Sequence, residues 1–415
     1  MTFLRFILLY MCIIILSHSL SNSFLNKNSF QKSYDKNETL TKREVDESQD
    51  SELFEESVDR DKRYIKQSNF FKWVIPYYID YNVDVNTVEK VFQILQAETC
   101  LHFRRVFSLS EKVPGIKFSY DDKCKINYNS LYKNKKTYGV VWQNITVNND
   151  CYKMRYLFQE VLHILGMIFE HQRKCRDRYI LFKRYNWGRF KDLYFQMVPH
   201  SNMMDAVSSS YDYGSIMQPE LDFYSNGKGK TMIPVVELFS KTMGQNNYPS
   251  FLDIKRLNFY YCSTKCSKKL RCFNDGYLDP TNCITCRCIP GFEGSFCEKF
   301  QRPTFLCKRT VFEAKYKSEV LADAGDKECN YLIRAPRGRR VLISLLYLFI
   351  KPEKKKSCYP SNSLEIKYWN DKAPTGLRLC GLTSNINLMS RGESVIIYFK
   401  SNDTNNKFFL RYKAH

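Results

Sequence analysis

Apolar residues recur at helical spacing near the start of the first long block. Val88, Val91, Phe92 and Leu95 fall on one face, which predicts an amphipathic helix over 87–99. A second helix is predicted over 152–165, with Leu157, Phe158, Val161, Leu162 and Leu165 apolar and Gly166 as its stop. Strand-like stretches such as Tyr138–Val147 lie between the two. Beyond residue 303 the pattern changes. Strand-like runs at Tyr331–Ala335, Val341–Ile350, Leu364–Trp369, Ser394–Lys400 and Phe408–Tyr412 alternate with turn signals, which predicts an all-β sandwich. Residues 263–299 have no comparable run. They hold six cysteines instead, and so small a segment needs staples to make up for a missing core.

The start of the chain reads as targeting and processing sequence. The eleven apolar residues Phe6–Leu16 follow Arg5 and precede Ser17-His18-Ser19. They are too few to span a bilayer and suit a signal peptide over 1–19, an uncleaved anchor being the alternative. Residues 20–63 lack periodicity, carry 11 acids against 8 bases, and end in Arg60-Asp61-Lys62-Arg63. This predicts a propeptide cut after Arg63; the alternative is a solvated linker. The expected destination is the extracellular space, with no membrane span in the mature chain. Sixteen cysteines in 415 residues fit an oxidising compartment. Without Cys12 of the signal, fifteen remain. N-glycosylation acceptors stand at Asn144, Asn402 and, in the leader, Asn37.

The stretch that bears on chemistry is Gln159-Glu160-Val161-Leu162-His163-Ile164-Leu165-Gly166-Met167-Ile168-Phe169-Glu170-His171-Gln172-Arg173. It resembles the astacin family of zinc metalloendopeptidases, with their H-E-x-x-H-x-x-G-x-x-H-E-x-x-R pattern. In that pattern two histidines at i and i+4 share a helix face, and the intervening glutamate activates a zinc-bound water. Glu160, His163, Gly166, Glu170 and Arg173 match. Gln159 stands in place of the first histidine and Phe169 in place of the third. Downstream, Ser215-Ile216-Met217-Gln218-Pro219 resembles the family's methionine turn, with Met217 kept and Pro219 in place of a tyrosine that contacts zinc. The leader's nearest match to the family's F-x-G-D latch is Phe54-Glu55-Glu56-Ser57, with Ser57 in place of the aspartate.

The resemblance implies an α+β architecture: an astacin-like metzincin domain over 64–262, an EGF-like module over 263–299 and a CUB sandwich over 303–415. It implies the pairs Cys100–Cys262 and Cys124–Cys151 in the first domain. In the second it implies Cys266–Cys283, Cys272–Cys286 and Cys288–Cys297, although six cysteines alone allow fifteen connectivities and a zinc cluster is a rival. In the third it implies Cys307–Cys329 and Cys358–Cys380. These pairs use fourteen of the fifteen mature cysteines, Cys175 being the remainder. The resemblance also gives Glu160 the role of general base, His163 that of the one retained zinc ligand, Met217 and Gly166 structural roles, and Glu170 a pairing with the new amino terminus at Tyr64.

Counting donors changes the functional expectation. The family site uses three imidazoles and a tyrosine; this chain keeps His163. Zinc binding is therefore expected to be weak or absent, and the first reading is a catalytically impaired pseudoprotease that binds extracellular proteins or peptides. An active zinc endopeptidase with rearranged ligands and a CUB/EGF adhesion protein are the rivals. Residues 301–415 carry 22 bases against 10 acids, more than half of the net +21, including Arg334–Arg340 and Lys351–Lys356. In a secreted protein this excludes a nuclear or nucleic-acid role. It leaves a solvated face or a dock for sulfated glycans.

Overall fold

The computed structural model describes residues 73–415 except 111–112, 123–141, 150, 152, 190–193, 199–209, 245–246 and 353–356. The signal peptide, the leader with Asn37 and Arg63, Tyr64, Cys124 and residues 138–141 of the expected strand lie outside the described residues.

The first block opens with β1 (Val74–Ile79), α1 (Val85–Glu98), β2 (His102–Arg105), β3 (Ile116–Tyr120) and β4 (Gln143–Val147). The four strands form one sheet in the order β2-β1-β3-β4, every pair parallel. Helix α1 begins at Asp84, whose carboxylate accepts from the Asn86 backbone N–H at 3.1 Å and from the Thr87 hydroxyl. Its buried face is Val88, Val91, Phe92 and Leu95, with Phe92 stacked 4.3 Å from Phe103 on β2. Burying four such side chains is worth about 1.5–3 kcal/mol each, which positions the helix on the sheet.

Helix α2 (Met154–Ile164) lacks a side-chain N-cap and is held by burial, with Leu157, Phe158, Val161, Leu162 and Ile164 inward. It ends in a Schellman closure. Gly166 N–H donates to the His163 carbonyl, and Met167 N–H donates to the Leu162 carbonyl, both at 2.9 Å. Gly166 has φ +96°, a left-handed conformation that a side chain would strain. Short strands β5 (Ile180–Phe182) and β6 (Met232–Pro234) pair antiparallel. Helix α3 (Phe251–Cys262) follows a capping box: Asp253 N–H donates to Ser250 Oγ at 3.1 Å and Ser250 N–H to Asp253 Oδ2 at 2.8 Å. The Cys100–Cys262 disulfide ties its end to the start of β2.

The cysteine-rich segment forms two small hairpins, β7 (Tyr277–Leu278) with β8 (Cys286–Arg287), and β9 (Phe292–Glu293) with β10 (Lys299–Phe300). Its bridges are Cys266–Cys283, Cys272–Cys286 and Cys288–Cys297. The last block is a two-sheet sandwich. One sheet runs β11 (Val311–Glu313), β13 (Lys327–Arg334), β19 (Ser394–Ser401), β15 (Ser363–Lys367), β16 (Leu377–Leu379). The other runs β12 (Glu319–Ala324), β20 (Lys407–Ala414), β14 (Val341–Ile350), β17 (Gly381–Thr383), with β18 (Ile386–Met389) also on β14. Cys307–Cys329 and Cys358–Cys380 staple it.

The sandwich does not hang free. Tyr211, Tyr213, Phe239 and Met243 of the first block and Trp369, Leu364 and Leu377 of the sandwich belong to one continuous buried cluster. The Trp369 ring lies 5.3 Å from Phe239 and 6.1 Å from Tyr213. Backbone bonds rivet the seam: Cys358 N–H donates to the Lys241 carbonyl at 2.8 Å, and Arg378 N–H to Thr242 Oγ1 at 3.0 Å. Gly214 sits so close to the sandwich that a Cβ there would lie 2.5 Å from the Thr375 side chain.

Close packing at that seam gives a direct test. Gly214→Ala is expected to lower stability by about 1–3 kcal/mol through overpacking. Thr375→Gly in the same chain is expected to recover part of the loss, because it removes the atoms that the new methyl meets. Denaturant unfolding of both variants measures this; additive losses in the double variant would contradict the contact.

Candidate functional site

Helix α2 places Gln159, Glu160 and His163 along one flank, and its Schellman turn brings the chain back through Phe169 to Glu170. Glu160, His163, Phe169 and Met217 are all nearly or fully buried, and Pro219 is buried too. His163 Nδ1 lies 3.1 Å from the Met167 carbonyl; since a carbonyl only accepts, the proton sits on Nδ1 and the lone pair on Nε2. Burial pushes its pKa down to about 4, so the imidazole is neutral near pH 7. That tautomer is the one a metal-binding histidine needs.

The neighbouring positions do not add donors of the same kind. Gln159 spends its amide N–H on the Ile216 carbonyl at 2.7 Å, which ties α2 to the methionine turn. The Phe169 ring lies 5.5 Å from the His163 ring and 5.7 Å from the His171 ring, an aromatic wall where a third ligand is expected from the resemblance. Pro219 offers no side-chain polar atom. His171 is buried and engaged elsewhere, its Nε2 2.8 Å from the Tyr194 carbonyl. Glu160 Oε1 is buried with no hydrogen-bond partner among the described residues, and burial raises the carboxyl's pKa well above the usual range. Among the described residues no three His, Cys, Asp or Glu side chains converge as a metal site. Catalytic zinc sites take about three protein ligands, and a neutral amide oxygen is a poor one. The donor set does not fit the zinc that the resemblance implies.

Beside these residues lies a network that linear motifs did not reveal. Glu170, fully buried, pairs with Arg173 at 3.0 Å and with Arg256 of α3, and accepts the Asp212 N–H at 3.2 Å. Asp212 Oδ1 accepts from Gly214 N–H at 2.9 Å and from Thr375 N–H of the sandwich at 3.1 Å. Its Oδ2 accepts from the Ser250 hydroxyl at 2.7 Å. Asp253 then accepts from the Ser215 hydroxyl at 2.6 Å and from Ile216 N–H at 2.9 Å. The Met217 N–H donates in turn to Ser215 Oγ at 3.0 Å, and its carbonyl accepts the Glu170 N–H at 3.1 Å. The local signal available was the Ser-x-x-Asp capping pattern at Ser250–Asp253.

Comparisons with known proteins place the two larger blocks in families. The profile described as Astacin, a peptidase family, matches residues 64–262. Those residues are an astacin-family domain. The CUB domain profile matches residues 310–412, so the chain couples an astacin domain to a CUB sandwich. Zinc metalloproteinase nas-34 of Caenorhabditis elegans is 31% identical over 353 residues, 83% of this chain and 56% of that protein. Zinc metalloproteinase dpy-31 of Brugia malayi is 28% identical over 383 residues, 86% of this chain and 61% of that protein. Among solved structures, high choriolytic enzyme 1, a hatching enzyme zinc-protease from Oryzias latipes, matches 45% of this chain and 88% of its own at 25% identity and a TM-score of 0.38. The chain spans between a half and two thirds of the length of the two relatives named.

The remaining expected sites are placed as follows. Cys151 is buried at the entry to α2, and Cys175 is partly buried just after the motif. Asn144 lies half-buried on β4, where its side-chain oxygen accepts from the Ser119 hydroxyl at 2.9 Å, whereas Asn402 is exposed. No described helix is long and apolar enough to cross a membrane.

The carboxylate network makes the astacin domain's stability depend on pH in a defined sense. Burial, and next the charge of Asp212, raise the Asp253 pKa to about 6. A carboxyl raised in the folded state holds its proton where the unfolded chain has released it. Its contribution is most favourable below the unfolded value near 4 and is lost as pH climbs through 6. The stability of the wild-type chain relative to Asp253→Asn is therefore expected to fall between about pH 4 and about pH 7. A relative stability that rises over that range would refute the assignment.

Proposed function

We propose that this protein is a secreted, catalytically impaired member of the astacin family that acts by binding. The signal peptide, the propeptide cut after Arg63, the EGF-like module over 263–299 and secretion itself are part of the same proposal. Their support is the apolar run at Phe6–Leu16, the basic tetrad ending at Arg63, and the disulfides of the mature chain. The observation that carries the reading is the donor set of the cleft: one imidazole at His163, an amide at Gln159 committed to backbone, and an aromatic ring at Phe169.

Peptide hydrolysis in this family relies on a metal that acidifies water from a pKa of 15.7 to about 7. Changes in the shell behind the ligands already cost about 10–100-fold in affinity or activity, and two lost imidazoles and a lost tyrosine cost more. Glu160 cannot compensate. A general base contributes about 10²–10⁴-fold, and only when a proton awaits removal from an activated nucleophile. Phe169 fills one of the expected ligand positions with a buried ring, and the role this leaves to the domain is to bind a peptide without cutting it. The CUB sandwich supplies a second surface for extracellular proteins, and its basic stretches suit sulfated glycans.

The rival reading is an active zinc endopeptidase. It is favoured by relatives that are named zinc metalloproteinases and match most of this chain. Incubation of the processed protein with a broad peptide library, with and without a chelator, separates the two. No cleavage above that of Glu160→Ala is the expected result. Cleavage that the chelator stops and that Glu160→Ala lacks would install the active enzyme.

A further inference from the structure

The sandwich sheet that includes β20 leaves apolar and cationic side chains exposed on its outer face. On β20 the residues alternate strictly: Phe408, Leu410 and Tyr412 are buried, while Lys407, Phe409 and Arg411 are exposed and Lys413 is half-buried. The register places Val320 and Ser344 beside Arg411, Ala322 and Tyr347 beside Phe409, and Leu342 beside Lys413. Met389 continues the Lys413 row and Leu382 extends the Lys407 row through Phe349. Val320, Leu382, Met389, Phe409 and Tyr347 remain 36–60% exposed. No outward position on these strands is acidic.

Isolated surface hydrophobes need no explanation, but five on adjacent rungs of one sheet face form a patch of the kind that marks an interface. The cations interleave with the apolar groups: Lys407 reaches diagonally across to the next row and stands 5.8 Å over the Tyr347 ring. At one end the face runs into a recess of about 580 Å³ lined by Tyr316, Arg339, Arg340, Met389 and Lys413. Arg339 stacks on Tyr316 at 5.7 Å.

We propose that the outer face of this sheet, with its basic recess, is a docking surface for an acidic protein partner carrying an apolar patch. Charge complementarity selects an acidic partner, and the aromatic, methionine and arginine content matches the cores of protein interfaces. A glycan would use the cations and leave the apolar rows uncovered. A bilayer takes apolar groups about 5–10 Å below the headgroups, whereas here apolar and cationic side chains share one depth. This deepens the binding part of the proposed function and holds whether or not the astacin domain cleaves.

The test uses the full secreted chain and three probes: displayed peptides alternating Asp or Glu with Leu or Phe, heparin, and phosphatidylserine-containing vesicles. Two variants are compared, Val320→Thr with Phe409→Thr, which keeps strand propensity, and Arg411→Glu with Lys413→Glu. The acidic-apolar peptides are expected to bind, and each variant to weaken them by about tenfold or more. Unchanged thermal unfolding of either variant guards against misfolding, and one folded variant suffices. Peptides that bind no better than a basic-apolar control, or that bind the variants equally, overturn the proposal. Heparin retention lost in the charge variant alone, without peptide binding, would support the glycan reading and sink this one. Vesicle binding that requires Phe409 in the absence of peptide binding would point to a membrane and equally overturn it.

Discussion

The structure depends on three buried carboxylates. Glu170, Asp212 and Asp253 stand between the methionine turn, helix α3, the turn after α2 and the CUB sandwich, and each accepts bonds from at least two of these. A buried charge costs several kcal/mol unless its lone pairs are filled. Here Arg173 and Arg256 neutralise Glu170, while backbone and hydroxyl donors fill Asp212 and Asp253. Removal of one partner would strand a charge, so four segments distant in sequence are locked together by electrostatics.

That arrangement explains how ligand positions can change while the fold persists. Gln159, at a position where the resemblance implies a ligand, donates to the Ile216 carbonyl and so fastens α2 to the methionine turn. Phe169 fills its place with an aromatic ring that packs against two imidazoles. His163 keeps its neutral tautomer because its Met167 partner lies in the Schellman turn that Gly166 creates. The proposed role of this site is to hold a chain rather than to hydrolyse one.

Much of this was legible in the residues. Periodicity located α1 and α2 within two residues at either end, and the expected run Val341–Ile350 is strand β14. Those elements bury one contiguous face, so local order carries the signal. The all-parallel order β2-β1-β3-β4 was not legible, because parallel pairing joins strands through crossovers and leaves no turn signature. Nor was the seam: Tyr213, Phe239 and Trp369 meet across more than a hundred residues of chain, and each reads alone as an ordinary core aromatic. Asp212 shows the same limit. Its role comes from Thr375 and Ser250, which nothing in the linear sequence associates with it.

The zinc affinity and stoichiometry of the processed protein, read by competition with a chromophoric chelator, test most directly whether His163 and its neighbours hold a metal. The account predicts substoichiometric, weak binding in the wild-type chain and a large gain when Gln159→His and Phe169→His are introduced together. Equimolar, tight zinc in the wild-type chain that is lost in His163→Ala would contradict it.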